Sequence, residues 1–181
     1  MKKFVPALIL TAIVAATPVA VAEPEFYGNF GGGAFLDDDA TLAVVTVRGG
    51  AFFSEYFGAE IEGSFGVGND NIDALGVTAN VEVSNSVGGF VVGRLPIEGN
   101  YSGVFEIFGR LGYMTTEFEV EVFGTSGSLD VDGFAAGVGG TYYFTPNIGI
   151  RGDYTRFEAN EAQIDGGVNI LTVAAVYKFG G

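Results

Sequence analysis

The 181-residue chain has no cysteine and no histidine, and each absence closes a class of chemistry. Without cysteine there is no disulfide framework and no thiolate metal ligand. Without histidine the commonest metal ligand and general base are missing, and the Ser-His and Cys-His nucleophile pairs cannot be assembled. Basic residues are scarce too: eight Lys and Arg stand against 22 Asp and Glu, a formal charge of −14. Nucleic-acid binding needs a basic footprint, which this balance excludes. Beyond residue 22 no apolar run approaches the length of a membrane-spanning helix. Proline occurs five times only, whereas 30 glycines, 17 phenylalanines and eight tyrosines describe a chain that turns often and is rich in strand formers.

The first 22 residues differ from the rest. Lys2 and Lys3 precede an apolar run from Phe4 to Ala16, then Thr17-Pro18 and the small-residue triplet Ala20-Val21-Ala22. This is the pattern of a secretory signal peptide over residues 1–22, followed by one domain over residues 23–181. Its removal leaves six basic residues against 22 acidic ones, a formal −16, with Lys178 the one remaining lysine.

In the mature part the dominant signal is alternation with a period of two, in segments of about ten residues separated by turn signals. Near the end, Leu171, Val173, Ala175, Tyr177 and Phe179 share one face, and Thr172, Ala174, Val176 and Lys178 share the other. Ile148, Ile150, Gly152 and Tyr154 oppose Gly149, Arg151, Asp153 and Thr155 in the same way. Phe105, Ile107, Gly109, Leu111 and Tyr113 oppose Glu106, Phe108, Arg110 and Gly112, and Phe57, Ala59, Ile61, Gly63 and Phe65 oppose Gly58, Glu60, Glu62 and Ser64. The pattern predicts eight strands, at about 25–36, 42–53, 57–68, 80–95, 103–119, 131–144, 148–159 and 169–179. Tight turns near 54–56, 96–102 and 145–147 alternate with polar loops at 36–41, 69–79, 121–130 and 160–168. Short turns at one end and longer loops at the other belong to an all-β, eight-stranded antiparallel up-and-down transmembrane barrel. A soluble barrel would carry its charges outside and its apolar residues inside. Here the apolar face is nearly free of charge and the opposite face mixes Arg, Glu and Asp with small residues, so the apolar face is assigned to lipid.

The run from Gly133 to Tyr154, GFAAGVGGTYYFTPNIGIRGDY, resembles the sixth and seventh strands of the small outer-membrane β-barrel family, the group of porin-family, opacity-protein-like and outer-membrane protein A-like barrels. FGAEIEG at Phe57–Gly63 is similar to its third strand, FGRLGY at Phe108–Tyr113 to its fifth, and VYKF at Val176–Phe179 to its closing strand. The resemblance implies a location in the outer membrane of a Gram-negative bacterium, contact with outer-membrane lipid and lipopolysaccharide, and a C-terminal aromatic signal, Tyr177 and Phe179, read by the barrel-assembly machinery. Gly180-Gly181 follow that signal, where family members typically end on the aromatic itself. No catalytic residues carry over, because the shared pattern is structural.

Nine charged side chains are expected in the lumen: Arg48, Glu60, Glu62, Arg94, Glu106, Arg110, Arg151, Asp153 and Lys178. In so narrow a barrel, paired charges that fill the interior are favoured over an ion filter or a proton path. The acidic clusters at Asp37–Asp39, Asp70 and Asp73, Glu117–Glu121, Asp130 and Asp132, and 158–165 lie in or beside the loops. They form a solvated rim, with divalent cations shared with lipopolysaccharide phosphates as the alternative. No cofactor or metal site is assigned, a monomer is expected, and the function read is that of a non-enzymatic structural or surface-exposed barrel. Its competitors are a small diffusion channel, a lipid A-modifying enzyme and a periplasmic ligand-binding barrel. The signal sequence generates the first test: the intact mass of protein purified from cell envelopes should match a chain starting at Glu23, and a mass that retains residues 1–22 would refute cleavage.

Overall fold

The computed structural model describes residues 23–36, 41–67, 69–74, 77–97, 103–122, 125–159 and 167–179, with backbone alone at 69–74, 77–83, 119–122, 125–127 and 129. Residues 1–22, Asp37–Asp39 and residues 160–166 lie outside the described residues. Nine strand segments follow in order: β1 Glu25–Leu36, β2 Thr41–Phe52, β3 Phe57–Gly66, β4 Asn69–Ala74, β5 Val77–Ile97, β6 Val104–Val122, β7 Thr125–Tyr143, β8 Ile148–Ala159 and β9 Gly167–Phe179.

Every pairing is antiparallel, and all but two join neighbours in the chain; the two exceptions close the sheet on itself. The first strand pairs with the last, from Phe26 opposite Phe179 to Leu36 opposite Asn169. The upper part of β5 pairs with β4 (Asn69 opposite Glu82) and its lower part with β3 (Phe65 opposite Asn85). β3 and β4 are therefore two segments of one stave, and the molecule is a closed, eight-stave, up-and-down barrel. Closure matters in lipid because it leaves no stave edge whose N–H and C=O groups lack a partner.

The staves match the expected strands along most of their length, and the larger differences lie at the loop end; at the turn end Pro96 and Ile97, read as turn, continue β5 opposite Glu106 and Phe105. Residues 69–74, 77–79, 121–122 and 125–130, read as loop from the sequence, continue the β-ladder instead. Alternation of apolar and polar residues marks a strand only where its two faces meet different surroundings. Beyond the bilayer the outward face no longer has to be apolar, so the alternation weakens while the backbone ladder persists. A register shift between Val83 and Asn85 marks where the protruding part of β5 joins its barrel part.

At the opposite end the two turns among the described residues are tight. Ser54 Oγ accepts a hydrogen bond from Phe57 N at 3.0 Å, and Thr145 Oγ1 accepts one from Ile148 N at 2.9 Å. Asn147 then ties its turn to the last strand, donating Nδ2 to the Lys178 carbonyl at 2.9 Å.

The outer wall is apolar, with Ile61 71% and Val138 64% exposed. Aromatic rings band it at both ends: Phe26, Phe57, Phe144, Tyr177 and Phe179 on the turn side, Phe65, Tyr113, Phe134 and Tyr154 on the loop side. Such girdles sit at the two membrane–water interfaces. On the loop side the tyrosine hydroxyls reach a polar partner on the next strand: Tyr113 donates to Asp132, and Tyr154 to Asn169 Oδ1 at 2.7 Å. A charge in the middle of this band should be costly. Val138→Arg is expected to lower folding stability in lipid vesicles by roughly 2–4 kcal/mol, and Asp130→Arg, beyond the girdle, by close to zero. Equal urea midpoints for the two variants would place Val138 out of the bilayer.

Candidate functional site in the barrel lumen

The inward faces of the staves carry charges that form two tiers, a buried central one and one at the turn end that is partly open to water. The central tier holds Arg48 from β2, Glu60 and Glu62 from β3, Arg110 from β6, and Arg151 and Asp153 from β8. Spacing of two along β3 and β8 puts each pair on one face. Direct cross-strand register brings Arg48 opposite Glu62; closure of the barrel brings the remaining strands across the lumen.

Each guanidinium then bridges two acids. Arg48 donates to Glu62 at 2.6 Å and Asp153 at 2.7 Å, and Arg110 to Glu60 at 3.0 Å and Glu62 at 2.5 Å. Arg151 donates to Glu60 at 2.6 Å and lies 3.6 Å from Asp153. Spare donors and acceptors go to neutral groups: Thr172 takes an Arg48 N–H, Thr155 takes two from Arg110, and the Tyr27 hydroxyl donates to Glu60 at 2.8 Å.

Near the turn end a second tier joins Glu25, Arg94, Glu106 and Lys178. Glu25 contacts Arg94 at 2.5 Å and Lys178 at 3.3 Å, and Glu106 contacts Lys178 at 3.0 Å and Arg94 at 3.5 Å. This tier clasps the first and last strands of the chain to β5 and β6 across the lumen.

Each tier is electrically neutral, three cations against three anions and two against two. Aromatic rings fill the space around them. Arg94 stacks on Phe52, Arg110 on Phe90, Arg151 on Phe108 and Lys178 on Tyr143, all within 4.2 Å of the ring centroid. Small residues make room for the rings: a Cβ on Gly139 would lie 2.5 Å from the Phe108 ring, and one on Gly50 2.5 Å from the Tyr27 ring. Between the tiers a cavity of about 10 Å³, lined by Tyr27, Arg94, Glu106, Thr141, Tyr143 and Arg151, has room for about one water. The Asn29 amide and Arg151 Nε make no hydrogen bond.

The structure brings all nine lumen charges named from the sequence into these two tiers. Sequence reading omitted Glu25, which makes the second tier neutral; its glycine-rich strand blurs the alternation, although Glu25, Tyr27 and Asn29 keep the period of two. It also omitted the hydroxyls of Tyr27, Thr155 and Thr172, which satisfy spare hydrogen-bonding capacity. Tyr177 and Phe179 lie on the outer wall at the turn side, their rings 5.1 Å apart. Among the described residues no three His, Cys, Asp or Glu are grouped to hold a metal ion.

A closed antiparallel barrel that is apolar outside and charged inside is the architecture of an outer-membrane spanning protein. The sequence matches the family described as outer membrane protein beta-barrel domain over residues 6–179, so this chain belongs to that family and resides in the outer membrane of a Gram-negative bacterium. No curated protein matches it. Among solved structures, OprG from Pseudomonas aeruginosa is 13% identical, with 87% of this chain and 96% of that one covered at a TM-score of 0.62. The N-terminal barrel domain of Pseudomonas aeruginosa OprF is 12% identical, with 86% and 97% covered at 0.58. Ail of Yersinia pestis, in complex with the heparin analogue sucrose octasulfate, is 16% identical, with 86% and 97% covered at 0.54. These identities establish a shared fold and nothing finer.

The pairing itself is testable. Removing Arg110 leaves Glu60 and Glu62 short of a partner in a dry interior, which typically costs about 3–5 kcal/mol. Arg156, 39% exposed on the outer wall beside Glu158, should cost no more than about 1 kcal/mol on removal. Denaturant midpoints of Arg110→Ala and Arg156→Ala that fall together would show that the central tier contributes nothing beyond a surface pair.

Proposed function

We propose that the protein is a non-catalytic, surface-exposed outer-membrane barrel with a closed lumen, acting through envelope integrity and through contacts made at its loop end. The observation that carries this reading is the packed, neutral central tier. Every charge in it has an oppositely charged partner within 2.7 Å. A filter for ions needs sites that bind weakly and release, which interlocked pairs do not offer.

The loop end supports the second half of the reading. All four hairpins there carry acidic residues, and Arg156 is their one basic residue. A surface of that sign suits cationic partners, or lipopolysaccharide phosphates bridged by divalent cations, and opposes bare polyanions. In this the chain differs in expected preference from Ail, whose structure holds a sulfated sugar.

The measurement that decides is current through the purified, refolded protein in a planar bilayer. No steady current is expected. Reproducible open steps whose ion selectivity changes with Glu62→Gln or Arg151→Gln would overturn the closed lumen and make the protein a small diffusion channel.

A further inference from the structure

The barrel wall exchanges the polarity of its two faces at the loop-side aromatic girdle. Along β8, Ile148, Ile150, Gly152 and Tyr154 point outward, while Arg151, Asp153 and Thr155 point inward. Past Tyr154 the roles reverse: Arg156 and Glu158 face out, and Phe157 faces in at 1% exposure. The strand does not slip, since the β7–β8 register runs unbroken from Tyr143 opposite Gly149 to Gly133 opposite Ala159. Only the chemistry of the two faces is exchanged.

The inward face also turns apolar on β2 and β9, and on β7 the outward face turns polar as well. Toward the loops, β2 presents Arg48, Thr46, Val44 and Leu42 to the lumen, and β9 presents Thr172 and then Ile170. On β7 the outward row runs Val138, Ala136, Phe134, Asp132 and Asp130, while Ala135 and Val131 turn inward. The lumen is thus layered. Above the central charges lies a belt of hydroxyls, with Thr46 bonded to Ser64 and Ser86 to Thr116, each at 3.0 Å. Loop-ward of the Thr46–Ser64 pair, Phe35, Val44, Met114, Phe157 and Ile170 pack as part of one apolar cluster, each at most 2% exposed, with Thr116 one inward position farther toward the loops than Met114. No charged side chain lies in that layer among the described residues.

We infer that the loop end of the barrel is built as a water-soluble β-barrel with its own apolar core, and that this core is a second seal, which closes the lumen from outside independently of the charge tiers. Polar outside and apolar inside is the arrangement of a barrel standing in water, and the exchange falls where the girdle places the bilayer surface. An apolar constriction excludes ions by refusing them hydration, whatever the charges beneath it do. The inference deepens the closed-lumen reading and rests on it.

The chain has no cysteine, so a single one introduced below the seal reports without background. Ser64→Cys is nearly isosteric and sits in the hydroxyl belt; Asp130→Cys, exposed beyond the girdle, is the accessible control. The full barrel refolded in lipid nanodiscs is treated with a small cationic thiosulfonate, and folding of every variant is checked by heat-modifiable gel mobility. Ser64→Cys should react at least about tenfold more slowly than Asp130→Cys. Adding Phe157→Ala, or Ile170→Ala should the first fail to fold, should recover most of that factor, whereas adding Glu106→Gln in the turn-end tier should not. A wild-type barrel that carries no current yet labels Ser64→Cys as fast as the control would overturn the seal and leave the closed lumen standing. Acceleration by Glu106→Gln but not by the apolar variants would also overturn it, by placing the route at the turn end. Steady current through the wild type would overturn the closed-lumen reading itself.

Discussion

Charge inside this barrel has to be matched inside this barrel. The central charges are buried, so an ion placed among them loses its hydration and recovers it only from fixed partners. Five cations and five anions are accordingly distributed as two neutral groups, and the geometry is shared: Glu60 serves Arg110, Arg151 and Tyr27, while Arg48 serves Glu62, Asp153 and Thr172. The rest of the interior follows from this requirement. Rings lie against four of the five cations, and small residues at Gly50 and Gly139 leave room for those rings.

Sequestering the cations also shapes the surface. Of the six Lys and Arg residues after residue 22, five are spent in the lumen, so the strong negative charge of the chain appears almost entirely outside it, with Arg156 as its one basic exception. Most of that charge falls on the four loop-end hairpins. Interior pairing and exterior acidity are thus two sides of one allocation, and both bear on what the loop end can approach.

The outer wall obeys a different solvent, and the strands pass from one to the other without losing register. Within the girdles the wall is greasy because lipid tails surround it. Beyond Tyr154 and Phe134 it is polar because water and headgroups do, and the inward face becomes apolar in exchange. One continuous ladder therefore serves as a membrane barrel below and a soluble barrel above, the backbone being satisfied identically in both.

Much of this was legible in the residues themselves. Alternation with a period of two reports directly which solvent each face of a strand meets, so the eight staves, the lipid face and nine of the ten lumen charges follow from it. The missing one, Glu25, sits on a strand where glycine erases the contrast. What alternation cannot report is anything that depends on closure. Which acid meets which arginine is decided across the lumen, where Arg48 and Asp153 lie 105 residues apart. The ladders of 69–74 and 125–130 were invisible because their residues lack an apolar outward row, while backbone pairing needs none. The exchange of faces at Tyr154-Thr155-Arg156-Phe157 is written in the sequence, but it becomes a seal only when eight strands bring Phe35, Val44, Met114, Phe157 and Ile170 to one level of one closed wall. A strand's sequence records its solvent; only the closed barrel determines its partners.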